Sequence, residues 1–237
     1  MRFEELNWSN VEDYLQKDDR IMLVLGACEQ HGYLSLLTDV KIPLAMADAA
    51  AQSSGVLIAP ALPFGVSPYF DAFPGTISLR LQTFLQVVDD IVRNLYRTGF
   101  RKILVLNGHG GNQPARTLLS EIVNECPGLV CVWYSWWTSR GVARLAESHN
   151  LIPAHASWME AFSFTQVAEL PEGEKEEAAE AFIMEAGKIR EQLGDGVFGG
   201  TYKAAPEIMQ QLFDLCLGDI LYELEELKNL SAQADLF

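Results

Sequence analysis

Glu29, His31 and Asp39 fall within eleven residues, directly after an apolar run from Ile21 to Ala27 that reads as a buried strand. Glu29 and His31 are two apart, so on extended chain both project to the same side. Asp39 follows after enough chain to loop back beside them. Two carboxylates and an imidazole suit a hard-to-borderline divalent ion such as Zn²⁺ or Mn²⁺. A second group, Asn107-Gly108-His109-Gly110-Gly111-Asn112, stands where the short apolar strand Ile103 to Leu106 meets a helix. Ligands of open parallel sheets bind beyond the carboxyl ends of the strands, and flanking glycines let the backbone turn and approach closely. A third stretch, Pro153 to Glu160, adds His155 and Glu160. If 155–166 is helical, these two lie about 140° apart around the axis and border one cleft without superposing. Each taken singly reads as structural. Taken with Glu29, His31, Asp39 and His109, they give three acids and two imidazoles, enough for two ions sharing one bridging carboxylate. His155 is then left over for proton transfer.

The elements that must position these residues alternate. Ser9 and Glu12 have the form of a capping box, predicting a helix through about Gln16. After the strand at 21–27, Pro43 suits a helix start and the Ala-rich stretch Leu44 to Gln52 its body. Gly55 ends it, and Val56 to Ala59 reads as the next strand. Residues 60–79 are rich in Pro and Gly yet carry Phe64, Tyr69, Phe70 and Phe73, the pattern of a structured loop. Apolar residues at three- and four-residue steps predict a helix over Leu81 to Arg97, with Gly99 as its cap. A strand at 103–106, a helix from Pro114 to Cys126 and a strand at 129–134 follow. Helices are expected over 175–192 and 207–228, separated by the glycine-dense loop Gly194 to Gly200. This alternation predicts one three-layer α/β/α domain over residues 1–237 with a mostly parallel central sheet. Trp133, Trp136, Trp137 and Trp158 cluster near the third stretch, and they read either as core or as an aromatic wall for a planar substrate.

Composition narrows the function. Seventeen Lys and Arg against 32 Asp and Glu give a net charge of −15, which argues against a nucleic-acid backbone or an anionic membrane as partner. No apolar stretch reaches the roughly 18–20 residues of a membrane span. The N-terminus lacks the basic and apolar regions of a signal peptide. The four cysteines show no zinc-ribbon or Cys-x-x-Cys spacing. A reduced, cytoplasmic setting is the expectation. Cys28 beside Glu29 reads as a small buried residue at a strand end rather than a nucleophile. No phosphate-binding glycine pattern is present, so nucleotide chemistry is disfavoured.

The chain resembles the creatininase (creatinine amidohydrolase) family. The resemblance rests on Glu29-Gln30-His31-Gly32 with Thr38-Asp39, on Phe73-Pro74-Gly75-Thr76-Ile77-Ser78-Leu79, on Asn107 to Asn112, and on His155-Ala156 with Glu160. The Gly196-Val197-Phe198-Gly199 loop is similar as well. It implies a creatininase-like three-layer fold and a two-metal hydrolase, using Zn or Mn, that acts on amide-type C–N bonds of a small-molecule substrate. It also implies a homohexamer. By position, Glu29 and His109 would hold one ion, His31 and Glu160 the other, and Asp39 would bridge. His155 matches the histidine that assists proton transfer, and we expect it and Glu160 as the catalytic residues. Substrate contacts are expected at Tyr69, Ser78, Trp136 and Trp158. Creatininase proper places a metal-binding Glu in the turn where this chain has Gly111, so Glu160 must serve. Tyr33 to Leu37 and Pro68 to Asp71 depart from the family pattern, which changes the pocket lining. The rival expectation is a non-catalytic binding or scaffold protein that keeps the metal site.

Overall fold

In the computed structural model, which describes residues 1–178 and 183–230, the chain opens with helix α1 (Trp8–Leu15). Its cap is Asn7, not Ser9: the Asn7 side chain accepts hydrogen bonds from the backbone N–H groups of Ser9 and Asn10. An Asn at this position satisfies two otherwise orphaned donors, so the helix begins two residues earlier than the Ser9–Glu12 pattern predicts.

The next strand, β1 (Arg20–Leu25), is buried along its whole length. Ile21, Leu23 and Leu25 point into one core, and Met22 and Val24 into the other. Helix α2 (Thr38–Ser54) and the two-residue strand β2 (Leu57–Ile58) follow. Then come α3 (Leu81–Thr98), β3 (Lys102–Asn107), α4 (Pro114–Glu125), β4 (Val130–Ser135) and α5 (Arg140–Ser148). The four strands form one parallel sheet in the order β2-β1-β3-β4. β3 repeats the alternation, with Ile103 and Val105 facing α3 and α4 and Leu104 and Leu106 facing the opposite layer. Continuous apolar strands are what a sheet covered on both faces requires.

A two-stranded ribbon, β5 (Glu174–Lys175) against β6 (Gly200–Thr201), brackets α6 (Ala186–Leu193), and α7 (Pro206–Asn229) closes the layer that holds α2. The helix expected over 175–192 is therefore shorter. Glu174 and Lys175 are committed to pairing with Thr201 and Gly200, and residues 179–182 of that expectation lie outside the described residues.

Register decides where chemistry can gather. Leu25 pairs with Asn107, and Asn107 with Ser135, so β1, β3 and β4 end level with one another. Glu29 and His109 lie a few residues past two adjacent carboxyl ends. α2 delivers Asp39 to the same place because it starts at Thr38 rather than at Pro43. Pro43 lies inside the helix and has no N–H to return to the Asp39 carbonyl four residues back. That carbonyl faces Gly108. A Cβ at Gly108 would sit 1.9 Å from the Asp39 oxygen, so only glycine lets the end of β3 approach the first turn of α2.

Gly108→Ala should therefore lower the midpoint of chemical denaturation by an equivalent of about 1–3 kcal/mol, the usual range for overpacking. Gly110→Ala, whose Cβ would meet nothing within 4 Å, should leave it nearly unchanged. Equal effects of the two substitutions would contradict the close approach.

Candidate metal centre

Five of the six side chains singled out by their chemistry converge in one buried cluster, and His155 borders it. Glu29 is 1 % exposed, His31 1 %, Asp39 3 %, Glu160 6 % and His109 8 %. Their potential ligand atoms fall into groups within 4.8 Å of one another: Glu29, Asp39 and His109; His31, Asp39 and Glu160; and Glu29, His31 and His155. Asp39 belongs to the first two because its oxygens face opposite ways. Oδ1 lies 3.0 Å from His31 Nε2, and Oδ2 lies 3.1 Å from His109 Nδ1. His109 Nδ1 is also 3.3 Å from Glu29 Oε1, and His31 Nε2 is 3.9 Å from Glu160 Oε2.

These atoms are close without being properly hydrogen-bonded. His31 Nε2, Asp39 Oδ2 and Glu29 Oε2 are buried with no partner in hydrogen-bond geometry. Buried polar atoms are ordinarily paired, and an orphaned one costs about 1–3 kcal/mol. Several orphans aimed at shared points fit an ion at each point. Mixed carboxylate and imidazole donors suit zinc or manganese.

The other nitrogen of each ligand imidazole is tied to a main-chain carbonyl. His31 Nδ1 donates to the carbonyl of Glu29 (3.2 Å), and His109 Nε2 to that of Val66 (2.9 Å). A carbonyl can only accept, so His31 presents Nε2 to the cluster and His109 presents Nδ1. Ser78 contributes here indirectly. Its Oγ accepts from the N–H of Ser67 (2.8 Å), beside Val66, and it is not on the cavity wall.

His155 is held differently. Its Nε2 lies 3.0 Å from the side-chain amide nitrogen of Gln30 and 3.1 Å from the main-chain oxygen of the same residue. Gln30 is itself fixed, donating to the Gly196 carbonyl and accepting from the Gly32 N–H. One residue thus offers both a donor and an acceptor, and either neutral tautomer finds a partner. Nδ1, 3.8 Å from Glu29 Oε1, can present a lone pair or an N–H. The ring is stacked on Phe70 at 4.7 Å and packed against Phe198 at 4.9 Å and His31 at 4.4 Å.

Charge follows burial. Desolvation and the neighbouring charge of His31 hold His155 well below the usual imidazole range, so it is neutral at neutral pH. Desolvation alone would also lower His31, but Asp39, Glu160 and Glu29 outweigh it and raise it to about 10. His109 is likewise raised well above its ordinary value, Asp39 and Glu29 overcoming burial. Burial, with Asp39 and Glu29 nearby, pushes Glu160 up to about 7 despite His31. Asp39 lies below the carboxylate range: burial opposes ionisation, and His31 and His109 prevail.

Local structure around Glu160 corrects one expectation. Residues 155–166 are not a helix; only Trp158–Glu160 form a 3-10 turn. Ala156 takes a positive φ of 60°, which turns its N–H onto Glu160 Oε2 at 2.5 Å. Thr165 Oγ1 donates to the Glu160 carbonyl at 2.6 Å. Gly111 could not hold a glutamate in this backbone, since its Cβ would sit 1.9 Å from the Val66 carbonyl oxygen.

Besides Ser78, two more of the expected substrate contacts sit elsewhere. Trp136 and Trp158 are buried in the core between the sheet, α2 and α7, and Trp158 Nε1 donates to the Ile152 carbonyl. Bulk and the absence of a solvent face placed them there. Trp137, their neighbour, lines the cavity instead, as does Tyr69. Gln30, Phe70 and Phe198 were not singled out from the sequence. Gln30 had no signal beyond lying between two candidate ligands. Cys28 is buried, donates to the Gly75 carbonyl, and has its thiol pushed up by burial, in line with a structural role.

A parallel α/β sheet carrying two carboxylate–imidazole triads that share one aspartate defines a candidate dinuclear metal site. A family model described as creatinine amidohydrolase matches residues 4–223, and the chain belongs to the creatininase family. Over 115 residues it is 36 % identical to a creatinine amidohydrolase of Pseudomonas putida, covering 46 % of this chain and 44 % of that protein. Over 148 residues it is 34 % identical to a mycofactocin precursor peptide peptidase of Mycobacterium ulcerans, covering 58 % of each. The chain thus spans less than half the length of the first of these curated relatives. Among solved structures, a zinc–zinc form of a creatininase variant superposes with a TM-score of 0.76 at 24 % identity, covering 95 % of this chain and 97 % of that one. A manganese creatininase gives 0.74 at 22 % identity, with the same coverage. These superpositions show the fold.

In the metal-free protein, His31 holds its second proton up to about pH 10, so an ion taking its place must displace that proton below this pH. Zinc titration by calorimetry in two buffers of different ionisation enthalpy should show at least one proton released per protein at pH 7. Apparent affinity should rise with pH from 6 to 9. A pH-independent affinity with no proton release would contradict the assignment of His31.

Proposed function

We propose that the protein is a metal-dependent hydrolase that cleaves an amide-type C–N bond, other than an ordinary peptide bond, in a small substrate. The observation that carries this reading is Asp39, whose two oxygens face separate triads of buried donors. Glu29 and His109 would hold one ion, His31 and Glu160 the other, with Asp39 between them. Zinc and manganese are the candidates, as in the solved relatives named for them. Bound there, two divalent ions would polarise the scissile carbonyl and acidify an attacking water.

The chain's own residues then do the rest. Glu29, Asp39 and Glu160 fix the positions of charge among buried side chains, where electrostatic effects are strong. His155, neutral and with Nδ1 at the cavity, accepts a proton from the attacking water and later donates it to the leaving nitrogen. Through both steps Nε2 stays an N–H that donates to the Gln30 main-chain carbonyl, and Phe70 and Phe198 keep the ring from turning. The cavity of about 620 Å³ admits a small substrate beside the cluster.

Metal analysis tests the reading directly. The protein should carry two equivalents of Zn²⁺ or Mn²⁺, and Glu160→Gln or His109→Ala should retain about one. His155→Ala should keep both while kcat falls about 10²–10⁴-fold, the usual contribution of a positioned acid–base group. A protein that takes up no metal, or turnover unaffected by His109→Ala, overturns this reading, and bound metal without any metal-dependent turnover supports the scaffold. The homohexamer rests on the family resemblance, and sedimentation at the monomer mass would remove it.

A further inference from the structure

We infer that the substrate is an uncharged amide carrying an aromatic group, and that the site discriminates against anionic substrates. The inference rests on the amide-hydrolase reading above and adds the chemistry of the group beside the scissile bond.

The walls supply the argument. The cavity touches two separate hydrophobic clusters. On one side are Tyr69, Phe70 and Phe198, whose rings contact each other at 5.1 to 5.9 Å between centroids. On the other are Trp137, Met159 and Pro153. A volume of about 620 Å³ is in the range of pockets that enclose a drug-sized ligand rather than a few atoms. The Phe70 and Phe198 rings are held in place by packing on His155, so the wall next to the reacting atoms is rigid as well as apolar. A flat apolar group seated there would leave water for a preformed aromatic surface.

Charge points the same way. Among the described residues that line the cavity, none is Lys or Arg. Residues 179–182, outside the described set, are Ala, Glu, Ala and Phe by sequence. The cations of the region are occupied elsewhere: Lys175 is paired with Asp195, and Arg190 donates to the Ala72 carbonyl and packs over Phe73. Away from the cluster the only charged lining residue described is Glu177. Away from the metal cluster, a carboxylate on the substrate would lose water without gaining a cationic side chain as partner and would share the cavity with Glu177. Specificity of this kind comes from a repulsive element as well as an attractive one.

Hydroxamates chelate divalent ions through one group and vary freely in the other, so they separate the two readings. Calorimetry on the full chain loaded with zinc would compare acetohydroxamate, benzohydroxamate and 4-carboxybenzohydroxamate. Benzohydroxamate should bind at least about tenfold more tightly than acetohydroxamate, the order expected for burying a ring. The 4-carboxy compound should bind at least about tenfold more weakly than benzohydroxamate. Phe198→Ala and, as a second variant on the outer wall, Tyr69→Ala should each reduce the preference for the ring. Glu177→Lys should bring the carboxylated compound back towards benzohydroxamate. Equal affinities for all three compounds would overturn the inference and leave the metal centre standing. If no hydroxamate binds, including acetohydroxamate, the metal-centre reading itself fails.

Discussion

Three carboxylates and two imidazoles are buried together near the ends of β1 and β3, with ligand atoms in groups within 4.8 Å of one another, and the surrounding structure depends on neutralising them. An isolated buried carboxylate is costly enough that it would otherwise take up a proton. Glu160 shows that tendency, with burial and two neighbouring acids raising it to about 7. Asp39 escapes it because an imidazole faces each of its oxygens. In the metal-free chain, protons on His31 and His109 supply the positive charge. Those protons sit among the same donors that would hold ions.

The framework exists to bring those groups that close. β1 and β3 are neighbours in the sheet with level carboxyl ends, and Gly108 permits the first turn of α2 to pack against the end of β3. Main-chain carbonyls of Glu29 and Val66 then settle which nitrogen of each ligand imidazole faces inward. Backbone is a stiff partner, so these choices do not depend on side chains that could rotate away. His155 lacks such a one-sided anchor. Its Nε2 meets both a donor and an acceptor of Gln30, while Phe70 and Phe198 pack against its ring.

The aromatic residues face both His155 and the cavity. Phe70 and Phe198 steady the His155 ring, and with Tyr69 they also form a wall of the cavity. One surface cannot be altered without the other. The apolar lining also lowers the local dielectric, which strengthens every charge interaction at the cluster.

Much of this was legible in the residues. The strand–helix alternation and the fully apolar strands predict a parallel sheet covered on both faces. The chemistry of Glu29, His31, Asp39, His109, His155 and Glu160 marks the residues that meet. What sequence spacing could not decide was geometry set by distant chain. Pro43 looks like a first-turn residue, yet α2 starts at Thr38, with the Asp39 carbonyl packed against Gly108. Trp136, Trp137 and Trp158 are one residue type with two different fates: Trp136 and Trp158 are buried in one core, and Trp137 lines the cavity. Gln30 is marked only by its place between Glu29 and His31, since its partners His155 and Gly196 lie more than a hundred residues away. The sequence by itself determined which groups could carry the chemistry and which strands must be buried. The tertiary structure alone decided which atoms face each other, because orientation depends on contacts between segments that the chain order keeps apart.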